Sequence, residues 1–496
     1  MFLFFTAINF IILTKMLCFF DCYDKMCGLY LIKELFNMKL IDIKQLHTTP
    51  QEYDGKRIKI GGWIRSVRDN KNFGFIDLND GTSFKGLQIV FTPENCKNYA
   101  DIAHLNTGSS VIVCGNFVLT PENKQPFELH ATEIEIVSAT GVDYPLQKKG
   151  SSVEFLREQA YLRPRTNLFN AVFRVRSELS YAIHEFFHKE GFVHLHAPIL
   201  TSSDCEGAGE LFKISTQDIY SGKKLDPKDE LMGKPVYLSP SCQLEGEAFA
   251  LSMGKIYTFG PTFRAENSNT VKHANEFWHM EPEMAFFELE DDMDLMEKMI
   301  KYLLSYLFEH CENELKFFDS FVEKGLIEKL KNVLHNDFAR VTYDEAIKQL
   351  EKNNDKFEFK AYWGADLQSE HEKYLSQVVY GKPVFVYNYP KEIKAFYMRV
   401  NDDGKTVKAT DLLVPGIGEL CGASEREERY DVLLNRIKEL GLNEQEYWWY
   451  LNLRKFGSVK HSGFGLGFDR LLMYVTGMQN IRDVQPFPRT PRNCEF

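Results

Sequence analysis

The stretch from Gly260 to Glu288, GPTFRAENSNTVKHANEFWHMEPEMAFFE, constrains this chain more than any other. An apolar run, Ile256-Tyr257-Thr258-Phe259, leads into Phe263-Arg264-Ala265-Glu266. Asn267 to Asn275 is polar and hostile to a strand, and the chain returns through Glu276-Phe277-Trp278-His279-Met280-Glu281. Strand-like runs on both sides of a polar loop predict an antiparallel hairpin with a functional tip. Arg264, Glu266, His273, Glu276, Phe277, Glu281 and Glu283 all fall on it. An arginine suits a phosphate, because its planar fork gives paired charged hydrogen bonds. Phe277 offers a flat face to a base. By residue type alone, an exposed hairpin with scattered charges accounts for the same stretch.

A chain of 496 residues allows two or three domains around a large core. Its net charge of -11 argues against charge-driven, non-specific binding to nucleic acid but leaves room for a local basic groove. The ten cysteines are scattered without a C-x-x-C pair, and Cys18, Cys22 and Cys27 lack zinc spacing. Reduced thiols in a cytoplasmic protein, with no metal cluster, are expected. Met1 to Leu17 carries apolar runs broken by Thr6, Asn9 and Lys15. They are short for a membrane span, and no membrane association is expected. Two readings of residues 1–37 stand: a leader to an organelle, or a gene start at Met38, where Lys39-Leu40-Ile41-Asp42 opens the first domain.

Residues 38–141 read as that domain. Lys56 to Arg65, Phe73 to Leu78, Leu87 to Phe91, Val111 to Phe117 and Phe127 to Ala131 alternate like short strands. Five of them fit a small Greek-key barrel of the OB type. That fold stacks single-stranded bases on aromatics beside basic groups, and Arg65, Arg68, Lys71, Phe75 and Gln88 lie where such groups belong. The other reading makes Phe75 a core residue and the basic side chains solvated. Residues 142–165, with Pro145, Lys148, Lys149, Gly150 and Pro164, read as a linker, and 166–496 as the second domain. It opens with an amphipathic helix from Asn167 to about Lys189, with Phe169, Val172, Phe173, Leu179, Ile183 and Phe186 at helical spacing. A strand is expected over Val193 to Leu200. His194 and His196 have no third ligand and simply share one face of it. A helical insertion is expected near 290–360, with Leu295, Met299, Leu303, Leu307, Leu326 and Leu330 as its apolar positions.

FRAE, a loop and then His273-x-x-Glu276-Phe277 resembles motif 2 of the class II aminoacyl-tRNA synthetases. The aspartyl, asparaginyl and lysyl subgroup is the nearest in pattern. The helix followed by Pro198 resembles motif 1, the dimer interface of that family. Gly463-Phe464-Gly465-Leu466-Gly467-Phe468-Asp469-Arg470 resembles motif 3, with Asp469 where the family usually has Glu. GWIRSVRDNKNFGFIDLNDGTSFKGLQIV resembles the subgroup's anticodon-binding barrel. The likeness covers residues 39 to 496. It implies an α+β chain: an OB-fold barrel, then a class II catalytic domain whose antiparallel sheet is flanked by helices.

The resemblance also implies roles. Arg264 would hold the α-phosphate of ATP and Arg470 the γ-phosphate. Phe277 and Arg470 would sandwich the adenine, with Glu266 and His273 beside the nucleotide. Asp411 and Glu419 flank a Gly-rich bend; carboxylates beside phosphates suit Mg²⁺, which takes oxygen ligands. Glu206, Ser241, Gln243, Glu281 and Arg426 would meet the amino acid. Phe75 would stack on the middle anticodon base, Gln88 would read it, and Arg65 would lie beside them. The expected substrates are ATP, L-asparagine and tRNA(Asn), handled by a homodimer. Where aspartyl enzymes carry a Lys that binds the aspartate side chain, this chain has Gly246, and it has Glu281 where they have Asp. A site reading an amide offers both a donor and an acceptor, and Arg426 with Glu281 does so. The alternative is an aspartyl-tRNA synthetase, possibly non-discriminating. Two more distant readings are a free-standing asparagine synthetase, which would lack the barrel, and a non-enzymatic nucleic-acid binder. Retained Arg264, Glu419 and Arg470 argue against the latter.

Overall fold

The computed structural model describes residues 38–146, 150–205, 210–222, 224 and 226–496. The chain divides into two units, one ending at Ser152 and one running Val153–Phe496. In the first, β1 (Arg57–Asp69), β2 (Gly74–Asn79), β3 (Leu87–Phe91), β4 (Ser110–Leu119) and β5 (Phe127–Ser138) close a barrel in the order β1-β2-β3-β5-β4. Alternation builds it: along β3, Leu87, Ile89 and Phe91 point inward, while Gln88 and Val90 are half-buried. Ile58, Ile60, Ile76, Val113, Phe117 and Leu129 complete the core. Phe75 is absent from that core and only half-buried, its ring 5.4 Å from that of Phe73.

The second unit is organised by an eight-stranded sheet in the order β12-β13-β14-β15-β16-β11-β10-β6. These are β6 (Val193–His194), β10 (Lys255–Phe263), β11 (Glu276–Ala285), β12 (Ala339–Thr342), β13 (Val384–Pro390), β14 (Thr406–Val414), β15 (Gly418–Glu425) and β16 (His461–Gly467). Neighbours are antiparallel except the pairs β12–β13 and β10–β6. The helix Asn167–Lys189 begins where Thr166 Oγ1 accepts from the Phe169 amide at 3.3 Å, a cap that stabilises by about 1 kcal/mol. It buries Phe169, Val172, Val175, Leu179, Ile183 and Phe186, each contributing roughly 1.5–3 kcal/mol of transfer energy. Phe173, at the stripe's edge, is half-buried.

Three expectations need correction. The strand beginning at Val193 pairs only over Val193–His194. The ladder stops before Pro198, whose ring nitrogen has no amide hydrogen to resume it, and β7 (Leu200–Thr201) joins β8 (Lys213–Ile214) and β9 (Val236–Leu238) in a separate three-stranded sheet. The 290–360 segment is not wholly helical. The helices Leu289–His310, Glu312–Phe321 and Leu326–His335 give way to β12, the edge strand of the main sheet, before the helix Tyr343–Glu351. The second half of the expected linker is packed structure: Val153–Glu158 is a helix, and Arg163 is fully buried. Arg163 donates to the Arg482 carbonyl at 3.0 Å and to that of Gln485 at 2.5 Å. Lys148 and Lys149, like Cys18, Cys22 and Cys27, lie outside the described residues. Among the described residues, no helix is long and apolar enough to cross a membrane, and Cys96, Cys114, Cys205, Cys242, Cys311, Cys421 and Cys494 are free thiols.

Candidate active site

The expected hairpin is there: β10 and β11 pair antiparallel from Lys255↔Met284 to Phe263↔Glu276. Its loop stands over a cleft of about 310 Å³ at the centre of the sheet. Arg264, Glu266, His273, Phe277, Asp411, Glu419 and Arg470 line one part of it; Ser241, Gln243, Glu281 and Arg426 line another. Glu206 lies outside the described residues.

In the first part the Arg264 guanidinium sits 5.3 Å from the Phe277 ring centre. Asn275 ties the loop's two ends by donating its amide to the Arg264 and Glu266 carbonyls at 2.8 and 3.0 Å. His273 shares a 2.5 Å hydrogen bond with Thr270 Oγ1; burial, and then Arg470, lower its pKa. Arg470 Nη1 lies 3.3 Å from Glu419 Oε2. Burial opposes the charge on Glu419, but Arg470 and Lys394 outweigh it and keep the carboxyl below its usual range. Asp411 is paired with Lys394 at 2.7 Å; burial still pushes it upward. Asp411 and Glu419 converge over Gly422, where a Cβ would lie 3.5 Å from Asp411 Oδ1 and 3.4 Å from Glu419 Oε1. Among the described residues, no three His, Cys, Asp or Glu side chains could hold a metal by themselves. Two carboxylates with room beside them suit an ion that keeps waters and takes its other ligands from phosphates.

The second part is floored by buried charge. Glu281 accepts from the Ser241 hydroxyl and from the Cys242 amide at 3.0 Å, with His279 Nδ1 at 3.2 Å. Against burial, His279, Ser241 and that amide hold its carboxyl at about 2. Arg426 grips Glu283 with two nitrogens, donates to Ser424 Oγ at 2.8 Å and lies 5.4 Å from the Tyr397 ring centre. Gln243 donates to Glu247 at 3.0 Å, and Glu247 is held by Arg454 at 2.7 Å and His461 at 3.0 Å. Gly246 is buried against Glu283: a Cβ there would meet Glu283 Cγ at 3.2 Å.

Several residues here carried no role in the sequence. Lys394 pairs with Asp411; its stretch, Tyr389 to Met398, reads as a return to the sheet and resembles a family segment near the active site, but the sequence assigns the lysine no role. Glu283 holds Arg426, two positions from Glu281 on one strand face, and that spacing was a usable signal. Lys272 lines the cleft from the hairpin loop beside His273, and Glu372 reaches the Glu419 amide from a separate segment; no local pattern marks their roles. Asp469 takes Arg176 at 2.5 Å, the Trp278 amide at 3.1 Å and Gln485 Nε2 at 3.1 Å. It therefore joins the helix Asn167–Lys189, β11 and the C-terminal segment, while Arg470 still faces the cleft.

In the barrel, Phe75 and Gln88 line a second hollow of about 680 Å³ with His47, Arg68, Lys85 and Glu128. Gln88 Nε2 donates to Glu128 Oε1 at 2.7 Å. Arg65 donates to the Phe84 carbonyl at 2.9 Å and is not part of the lining given by these residues.

The family model of class II tRNA synthetases for D, K and N matches residues 152–491, and that of the OB-fold nucleic acid binding domain matches 58–137. The chain belongs to the class II tRNA synthetases. Within that family it sits among the asparagine–tRNA ligases. It is 56% identical over 464 residues to the asparagine–tRNA ligase of Acetivibrio thermocellus, covering 92% of this chain and 100% of that one. It is 57% identical over 459 residues to that of Bacillus cereus, covering 92% and 99%. Among solved structures, asparaginyl-tRNA synthetase from Pyrococcus horikoshii complexed with asparaginyl-adenylate matches this synthetase with a TM-score of 0.79 and 34% identity. That match covers 89% of this chain and 97% of that one.

Proposed function

We propose that this chain is an asparagine–tRNA ligase working in two steps. The asparagine carboxylate attacks the α-phosphate of ATP, forming asparaginyl-adenylate and releasing diphosphate. A terminal ribose hydroxyl of tRNA(Asn) then attacks the acyl carbon, forming the ester and releasing AMP. The observation that carries the reading is the shared cleft, which Arg264, Phe277, Asp411, Glu419 and Arg470 line together with Ser241, Gln243, Glu281 and Arg426.

Arg264 holds the α-phosphate and Arg470 the γ-phosphate, with the adenine between Phe277 and Arg470 and with Glu266 and His273 at the nucleotide's edge. Asp411 and Glu419 would hold Mg²⁺, which when bound would offset the charge that develops on the phosphates. No protein nucleophile is required; alignment and fixed charge supply the acceleration. Arg426, oriented by Glu283, donates to the side-chain amide oxygen, and Glu281 offers the acceptor for its nitrogen. Ser241 and Gln243 support that end of the pocket, and the family resemblance gives Glu206 the role of meeting the ammonium group. Gly246 supports asparagine over aspartate, because no cation is added beside Glu283. The named relatives favour the same choice.

In the barrel, Phe75 stacks on the central anticodon base, Gln88 reads its edge, and Arg65 braces the neighbouring loop. Apolar Val193, Ile199 and Leu200 are exposed around β6, which supports a homodimer through that edge. The free thiols fit a reducing compartment, and the cytoplasm is the proposed site of action. The test is charging of a tRNA(Asn) transcript with labelled asparagine, ATP and Mg²⁺. Asparaginyl-tRNA with release of AMP is expected; no charged product overturns the assignment.

A further inference from the structure

The bend between β14 and β15, Pro415 to Gly418, delivers Glu419 to the cleft. Two side chains of opposite charge hold that bend from outside the sheet. Lys272, in the β10–β11 loop, donates to the Ile417 carbonyl and reaches Ser369 Oγ at 3.4 Å. Glu372, on the short helix Ser369–Lys373, accepts from the Glu419 amide at 3.1 Å. The carbonyl before Gly418 and the amide after it are thus both fixed. Gly418 has φ +88°, and a Cβ there would run into Glu372 Oε2, so the bend and the carboxylate's approach both need glycine.

Glu372 itself stands on an anchored support. His371 accepts from the Gln368 amide at 3.1 Å and donates to the Phe359 carbonyl at 2.8 Å. Glu370 accepts from the Phe359 amide at 2.8 Å. The helix runs on into a π-helical turn, Tyr374–Val379, a winding often found at functional sites. Neither Glu372 nor Lys272 has a part in the two-step reaction described above.

We propose that Glu372 is a positioning residue for the binding of ATP with its cation: by holding the Glu419 amide it sets where the Glu419 carboxylate would meet that cation. Lys272 ties the same bend to the hairpin loop over the triphosphate. The proposal rests on Glu419 being a magnesium ligand. Asparagine binds against other residues, Glu281, Gln243 and Arg426, so its affinity does not depend on Glu372.

The experiment is calorimetric titration of ATP into the full chain at a series of Mg²⁺ concentrations, for the parent, Glu372→Ala, Glu372→Gln and Glu419→Gln. Asparagine binding is measured on the same preparations. Residues that orient metal ligands change metal affinity by about 10–100-fold when lost. Glu372→Ala is therefore expected to need about tenfold more Mg²⁺ for half-saturation, with asparagine affinity unchanged. Glu372→Gln keeps an accepting oxygen and is expected within about threefold of the parent. The proposal is overturned if Glu372→Ala titrates like the parent while Glu419→Gln is shifted. It is also overturned if asparagine affinity falls in step with ATP affinity, which marks a general loss of structure. If Glu419→Gln leaves the Mg²⁺ dependence untouched, the magnesium role of Glu419 fails, and this proposal with it.

Discussion

Gly246 sets how much room and how much charge there is behind Glu283, at the part of the cleft lined by Arg426. A side chain there meets Glu283 Cγ and Ile256 Cδ1 at once, and Glu283 is already committed to Arg426. A lysine would bring a second cation to Glu283 and loosen Arg426. Gly246→Lys is predicted to lower kcat/KM for asparagine activation by tenfold or more, about 1.4 kcal/mol, in a protein whose melting temperature is checked in parallel; unchanged asparagine kinetics would remove the side-chain argument. Arg470→Ala is predicted to slow diphosphate exchange by about 10²–10³-fold, as loss of one charge-stabilising donor does. Glu281 carries a pH prediction. Its folded carboxyl sits at about 2 against the ordinary glutamate value of 4.5, so the unfolded chain takes up the proton first as pH falls. Its stabilisation is complete above about pH 4.5 and is lost between there and 2, to a limit of about 3 kcal/mol. Acid unfolding of Glu281→Gln should be correspondingly shallower over that window. These residues were legible because they fall inside dense local patterns. The roles of Glu372 and Lys272 were not, because their meeting at Gly418 joins segments 47 to 145 residues from one another in the chain.

Elements that carry a single strong period were readable from sequence alone. The helix Asn167–Lys189 shows a clean apolar stripe, and β3 alternates without a break. β12 was hidden: four residues of edge strand, only Val341 buried, follow three amphipathic helices, and the helical period overran it. The segment after His194 misled in the opposite direction, since Leu195 to Leu200 keeps a strand-like composition while the ladder already stops at His194. Asp469 shows what joins elements once they form. It binds the helix Asn167–Lys189, β11 and Gln485 together. Asp469→Ala leaves the Arg176 charge poorly compensated in a mostly buried place and is predicted to cost about 3 kcal/mol in denaturant unfolding. Phe75 belongs to a different scale of cost, because its ring is half-buried and outside the barrel core. Phe75→Ala is predicted to weaken tRNA binding by about 1–3 kcal/mol, the usual loss for one stacked base, and to leave diphosphate exchange with asparagine intact. A parallel fall in exchange would place Phe75 in the fold rather than in recognition.

For the whole molecule, the division of labour between a barrel and a sheet was legible because each unit has its own period, alternation in one and long amphipathic helices in the other. Which amino acid is activated rests on far less, a glycine beside Glu283 and a buried Glu281, since asparagine and aspartate differ by one amide. The apolar edge at β6 predicts a homodimer, and light scattering that returns a monomer mass would contradict it. The most direct test of the account is ATP–diphosphate exchange on the purified chain with asparagine and with aspartate. Exchange with asparagine, at a kcat/KM at least ~100-fold above that for aspartate, is the predicted result, since a site that pairs a buried donor and acceptor with an amide leaves them mismatched to a carboxylate. Exchange with aspartate equal to or better than with asparagine would contradict it.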